Sequence, residues 1–430
     1  MEYLQILIGF IGLIALAIPF SNNLKLINYK HVAGGIVFQV ILAAVLLKVP
    51  LITSFFEYLS NGVEVLKVAT AEGSSFIFGY LGGGESPYVE SQKGSAIIFA
   101  FNILPFIIVM SCFTAVLWYW RVLPILVKGF SAVCQKLFNI GGPIGLGSAA
   151  NVFVGQVEAP LLIRPYLKDL SKKELLILMT TGMATVAGSV MIALVSMLDM
   201  KFDGINLIQH FLIASILSVP AAIVYANIMI PSNHVTDFES SNTPRVYEST
   251  MDAITRGTSD GLNIALGVGS IVLAFIALVY VADSIIGLIP LTLGGEPLSI
   301  QLILGYMFAP IAWLMGVPWS EALVSGKLLG IKTALNEFVA YGELASLSEG
   351  VLSDRSRLIT LYGLCGFAHF PSFGNIDSAI RAMAPEKKPE LIEVSFKALI
   401  GATLASCMTG LVLSFYILVR LPAPPHPILY

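Results

Sequence analysis

Long apolar runs separated by short polar stretches dominate this chain. A helix needs about 20 apolar residues to cross the hydrocarbon of a bilayer. By that measure residues 4–20, 33–50, 95–119, 174–199, 206–230, 262–289, 352–380 and 391–420 predict eight spans of an all-α membrane protein. Other stretches have a different texture. Residues 52–82 carry Glu57, Glu64 and Lys67 among aromatics and end in Gly82, Gly83 and Gly84, which predicts a helix lying along the interface. Residues 121–139 are similar and basic, with Arg121, Lys128 and Lys136, and a further interfacial helix is expected over 299–317.

Residues 141–168 and 319–346 fit neither pattern. Each is apolar, rich in Gly and Ser, and carries a glutamate near its middle: Glu158 in NVFVGQVEAPLLI and Glu337 in LLGIKTALNEFVAY. A carboxylate at the bilayer centre costs about 2.5–3.5 kcal/mol on insertion scales, so such a residue normally serves a site. A re-entrant hairpin, two half-helices meeting at a polar tip, is expected in each. Non-helical backbone at that depth must be buried in protein or line a wet cavity. Pro160 suits the first turn of a helix, which sets Glu158 just before its amino end. Asn336 is a natural N-cap, which sets Glu337 at the first helical position. Either carboxylate then meets the positive end of a half-helix dipole. The blander reading is an internal salt bridge with Lys332 or Arg164, but both cations fit better at helix ends, where long side chains reach the interface.

Each hairpin precedes an interrupted apolar segment. Gly188 follows Glu158 by thirty residues, and Phe367 follows Glu337 by the same distance. Thr185, Gly188 and Ser189 form a small polar patch in the first segment; close packing of small residues is the alternative explanation. In the second, Pro371 must disrupt the helix and free carbonyls near Gly366–Phe370, flanked by His369 and Ser372. A histidine on an apolar face more often packs than binds, but here the break favours a ligand role. Unwound backbone at the midplane, repeated in two halves, is where transporters bind ions and substrates.

Composition narrows the class. Of 430 residues, 56% are hydrophobic and 12% charged, against about 25% charged in soluble domains. The net charge of −3 and the lack of basic runs exclude a nucleic-acid surface. Glu2, rather than a basic region, precedes the first span, so a retained span is expected there and not a signal peptide. Cys112, Cys134, Cys365 and Cys407 form no C-x-x-C pair, no metal-binding histidine spacing occurs, and no Walker-type phosphate loop supports ATP-driven pumping. An intramembrane enzyme lacks a nucleophile constellation. The positive-inside rule places the amino terminus outside, with Arg121, Lys128, Lys136, Arg164, Lys168 and Arg245 among the inner cations and fewer outside, such as Lys48, Lys93 and Lys201. The polar stretch 231–260 is then a cytoplasmic connector between the halves.

Three motifs resemble those of concentrative nucleoside transporters. Gly330, Lys332, Asn336, Glu337, Phe338, Val339, Ala340 and Tyr341 match G-x-K-x-x-x-N-E-F-V-A-Y; residues 155–160 resemble G-Q-[TS]-E-A-P; residues 365–370 resemble C-G-F-A-N-F. The resemblance covers almost the whole chain. It implies a homotrimer in the bacterial inner membrane that imports nucleosides with sodium or protons, needs no cofactor, and moves its transport part like an elevator. It divides the chain into a scaffold part (1–120), a first transport repeat (121–230), a connector with a scaffold span (231–289) and a second transport repeat (290–430). It assigns Gln156 and Glu158 to the base with Val157 beside them in the substrate site, Val190 and Phe367 to packing on the nucleoside, and Glu337, His369 and Ser372 to ribose hydroxyls. Sodium, if used, falls to Asn151, Val154, Thr185 and Val186. Val157 replaces a hydroxyl residue and His369 an asparagine. These departures leave open a symporter of the same fold for a modified nucleoside or free base, tuned by pH through His369.

Overall fold

Helices that are apolar on every side can bury one face in protein and still leave another to lipid. That is how the computed structural model is assembled. It describes residues 2–85, 87, 98–138, 140–198, 202, 205–232, 246–289, 291–293 and 295–419. Lys93, Lys201 and Arg245, and the connector residues 233–245, lie outside these, as does the start of the span expected at 95.

The outer helices are α1 (Glu2–Ala15), α2 (Tyr29–Lys48) and α3 (Pro50–Phe78). A π-helical turn, Phe99–Ile103, leads into α4 (Leu104–Tyr119), and the basic stretch forms α5 (Val122–Phe138). The stretch expected as the first hairpin forms two short helices, α6 (Gly142–Ala150) and α7 (Glu158–Leu162). Next come α8 (Lys172–Ala184) and α9 (Gly188–Leu198), then α10 (Leu207–Met229) and the long α11 (Thr250–Ile286). A two-residue antiparallel pairing, Thr292–Leu293 with Glu296–Pro297, is the one departure from helix among the described elements. The chain continues through α12 (Ile300–Leu314), α13 (Trp319–Ala334) and α14 (Glu337–Ser346). It ends with α15 (Asp354–Leu364), α16 (Phe370–Met383) and α17 (Lys388–Val419).

Six described helices or helix runs are long and apolar enough to cross a membrane; α12 and α13 form a further pair bent by 120°. The stretches 174–199 and 352–380, each expected as one interrupted span, are two short helices apiece. Their breaks fall at residues 185–187 and 365–369. Pro371 lies inside the first turn of α16, not in the gap, because a proline costs nothing where the helix has no N–H partner to lose.

The core lies around α10 and α17, which pack on each other and on α8 and α15. Serines on this inner pair close both breaks. Ser215 Oγ accepts from the Val186 N–H at 3.1 Å, and Ser406 Oγ donates to the Cys365 carbonyl at 2.8 Å. Lys332, expected to reach a helix end, is instead fully buried: its Nζ donates to the Gly363 carbonyl at 3.2 Å and lies 3.4 Å from Ser406 Oγ. A cation at the carboxyl end of α15 satisfies carbonyls that the break exposes, which explains its depth. Arg164 is exposed, so neither cation pairs with the glutamates. The breaks touch each other at Gly366, which has φ +121°, and a Cβ there would sit 2.7 Å from the Ala184 carbonyl oxygen. Only glycine tolerates both conditions.

Candidate functional site

The two hairpin tips and both breaks converge on one cavity of about 330 Å³. Gln156, Val157 and Glu158 line it from the first hairpin, Val190 from α9, Glu337 from α14, Phe367 and His369 from the second break, and Ser372 from α16. All eight residues singled out for substrate thus face the same space. Gly155, Ala187 from the first break, Asn336, Phe338, Asn375 and the α11 residues Asn263, Ile264, Gly267, Val268 and Ile271 complete the wall.

Local sequence explains each position. Asn336 Oδ1 accepts from the Val339 N–H at 3.0 Å, capping α14 and setting Glu337 at its first residue, as expected. Glu158 is also the first helical residue, with Pro160 two places further in. It does not precede the helix as the Pro160 argument expected, since proline is tolerated throughout the first turn. Gly155 has φ +105°, and a Cβ there would come within 2.9 Å of both Ala187 Cβ and Glu158 Oε2, so glycine lets the tip fold against the first break. The Gly188 N–H donates to the Phe153 carbonyl at 3.1 Å and ties the two together.

A polar chain runs across the cavity floor. Gln156 Nε2 donates to Ser372 Oγ at 3.0 Å, and His369 Nε2 lies 2.9 Å from the same hydroxyl. His369 Nδ1 accepts from the Ser372 N–H at 3.3 Å, so the imidazole caps α16. An accepting Nδ1 fixes the neutral ring's proton on Nε2. That nitrogen lies 2.8 Å from Glu337 Oε2, yet the carboxylate oxygen has no aligned hydrogen bond. Gln156 Oε1 is likewise buried without a partner. A buried acceptor without a donor is rare and costly, so Gln156 Oε1 is a place where a ligand's donor fits, and Glu337, met by His369 alone, keeps acceptor capacity for another.

The residues grouped for a cation sit behind this floor. The Thr185 hydroxyl donates to the Asn151 carbonyl at 3.1 Å and the Thr181 carbonyl at 3.0 Å. Asn151 Nδ2 lies 3.4 Å from Thr181 Oγ1, while Asn151 Oδ1 is buried and unpartnered. Val186 follows Thr185 in the break, and Val154 lies in the turn after α6, its N–H donating to the Ala150 carbonyl at 3.0 Å. An orphaned amide oxygen amid carbonyls and a hydroxyl is an all-oxygen donor set, which suits a hard cation such as sodium. The described residues contain no cluster of three His, Cys, Asp or Glu side chains that could hold a metal.

Sequence reasoning passed over Lys332 as a buried cation and Asn263 and Asn375 as cavity residues. Asn263 had a legible signal, being a lone amide in an apolar stretch. Lys332 had none, because its depth depends on where α15 stops.

These features define a multi-pass helical membrane protein whose interrupted helices line a largely apolar cavity set with a few polar side chains. The family model described as Na+ dependent nucleoside transporter C-terminus matches residues 210–414, its N-terminal counterpart matches residues 8–81, and a nucleoside recognition model matches residues 100–201. The chain is 33% identical to the nucleoside permease NupC of Helicobacter pylori over 415 residues, 95% of this chain and 97% of that one. It is 29% identical to the sodium/nucleoside cotransporter 1 of Rattus norvegicus, over 94% of this chain and 63% of the longer rat protein. Among solved structures it superposes on CNTnw in an inward-facing substrate-bound state with a TM-score of 0.88, 33% identity, and coverage of 99% and 100% of the two chains. The chain therefore belongs to the concentrative, Na+-dependent nucleoside transporter family, whose members are transporters and not enzymes.

Proposed function

We propose that this protein imports nucleosides together with a cation. The observation that carries the reading is a set of three buried oxygens with acceptor capacity to spare: Gln156 Oε1, unpartnered, and Glu337 Oε2, paired with His369 alone, on residues lining the cavity, and Asn151 Oδ1, unpartnered, behind it. A nucleoside supplies base N–H and ribose O–H donors for the first two, and a sodium ion satisfies the third. Hydrogen bonds to a charged group contribute about 1.5–3 kcal/mol each, and an orphaned buried polar group costs about 1–3 kcal/mol. Ligand and cation thus each remove a penalty present in the empty protein. In this reading Gln156 and Glu158 address the base, Val157, Val190 and Phe367 pack against the nucleoside, and Glu337, His369 and Ser372 hold the ribose. Asn151, Val154, Thr185 and Val186 bind sodium.

The cation offsets the charge of two carboxylates in a low-dielectric site, so the loaded site moves at lower cost than the empty one. Elevator-like displacement of the hairpins, a trimer, and residence in a bacterial inner membrane complete the proposal. Uptake of labelled uridine into proteoliposomes under imposed sodium or pH gradients tests it. Accumulation driven by a sodium gradient supports sodium symport; no accumulation under either gradient removes the reading.

One observation favours a second reading, in which His369 tunes transport by pH. Protonating His369 removes the acceptor Nδ1 that caps α16 and places an imidazolium against Glu337, competing with the ribose. Glu337 and Glu158 are the titratable groups that share its cavity, and Lys332 lies behind α15. Both effects weaken nucleoside binding in acid. Uptake with and without sodium across pH, in wild type and His369→Asn, decides this; a strictly sodium-dependent, pH-flat profile in both proteins ends it.

A further inference from the structure

The cavity has one wall that the motif residues do not supply, a face of α11. A stripe of small residues at every fourth position, Ala253, Gly257, Gly261 and Ala265, is buried and fixes how this helix is rotated. A Cβ at Gly257 would fall 2.7 Å from Ala115 Cβ, and one at Gly261 would fall 2.7 Å from Ile108 Cα, so the stripe lies flush on α4. Close approach through small residues is how membrane helices lock together. That rotation turns the neighbouring face toward the cavity.

Gly267 on this neighbouring face is a different kind of glycine. A Cβ there meets no atom within 4 Å. It holds no helix close and adopts no left-handed backbone. Glycine in a helix interior costs about 1 kcal/mol against alanine, so it serves no local purpose. What it does is leave the cavity wall empty. One turn earlier, Asn263 is an exposed amide in an apolar helix, and its exposed surface faces the same cavity. Polar side chains within membrane helices face cavities or partners, not lipid.

We propose that Asn263 and Gly267 form a specificity wall for the ligand, resting on the nucleoside reading above: Asn263 donates or accepts one hydrogen bond to the bound nucleoside, and Gly267 sets how large a nucleobase the cavity admits. The chemical consequence is a preference by size. With Gly267 the cavity accepts purine as well as pyrimidine nucleosides, and a side chain at that position excludes the purine first.

The test uses purified full-length protein. Binding of uridine and adenosine is measured for wild type, Gly267→Ala, Gly267→Leu and Asn263→Ala. Gly267→Ala lowers adenosine affinity more than uridine affinity, and Gly267→Leu widens that gap to at least about ten-fold by filling the pocket. Asn263→Ala lowers affinity for both by about ten-fold, the effect of one hydrogen bond. A second measurement does not depend on tolerance of leucine. Gly267→Cys is labelled with a small maleimide, against a background of native cysteines of which three are buried. Saturating uridine slows that labelling at least about five-fold if the ligand lies against this wall. Equal uridine and adenosine losses in Gly267→Leu, or labelling of Gly267→Cys unaffected by uridine, overturn this inference while wild-type binding leaves the nucleoside reading intact. A wild-type protein that binds neither nucleoside overturns both.

Discussion

The two hairpin tips carry the same charge at the same helical position, yet they are built differently. The Glu337 tip opens a ten-residue helix with an asparagine cap, and its carboxylate is 3% exposed beside His369. The Glu158 tip opens a five-residue helix whose N-cap residue, Val157, offers no side-chain bond. Glu158 is only partly buried and lines a second cavity of about 100 Å³ with Trp118, Tyr247, Arg256 and Asp260. One tip is held by its own capping and by its neighbours; the other lacks a cap and is held by Gly155, a backbone bond to the first break and the Gln156–Ser372 bond. A group fixed before the ligand arrives loses little entropy on binding. On the proposed reading, this matches the second tip to the invariant ribose and the first to a base that varies between ligands.

This contrast is open to direct attack. The largest effect is expected from Glu337→Gln: nucleoside affinity falls by about 10–100-fold, as expected for charge-assisted bonds, and residual uptake no longer responds to the cation gradient. Calorimetric titration and gradient-driven uptake check this, and wild-type coupled uptake in the variant removes the proposed role. Glu158→Gln is expected to cost less, about ten-fold, because its charge is partly screened by an open cavity. An equal loss for both variants erases the distinction between the tips.

Removing the cap separates rigidity from charge. Asn336→Ala costs about 1 kcal/mol of stability, read as a lowered melting temperature, and weakens binding by about five-fold while leaving the carboxylate in place. A drop in stability without loss of affinity means that preorganisation of this tip is unimportant. The smallest effect is expected from Val157→Ser. Val157 is exposed at the cavity, so a hydroxyl there needs no internal partner and stability stays unchanged within about 0.5 kcal/mol. The ranking of nucleosides in a competition panel is expected to shift, because a new donor rewards bases that present an acceptor.

Much of this was legible without coordinates. Apolar runs of about 20 residues marked several of the helices long enough to cross a membrane, since the bilayer imposes a length that composition must meet. Isolated carboxylates marked the tips, and Asn336 marked its helix start, because capping is a contact between residues three apart. What sequence could not supply were relations across distance. Lys332 reads as a residue for a helix end and lies in the core, because its partners, Gly363 and Ser406, belong to other helices. Gly257 and Gly267 are the same residue type ten positions apart on one helix, yet α4 lies against one and open space against the other. The orphaned oxygens of Gln156 and Asn151 are invisible in a sequence, since an unmet hydrogen bond is a property of everything around it. Local chemistry, read along the chain, determined which residues resist burial in lipid; the packing of distant segments alone decided which of them share one cavity and what each still lacks.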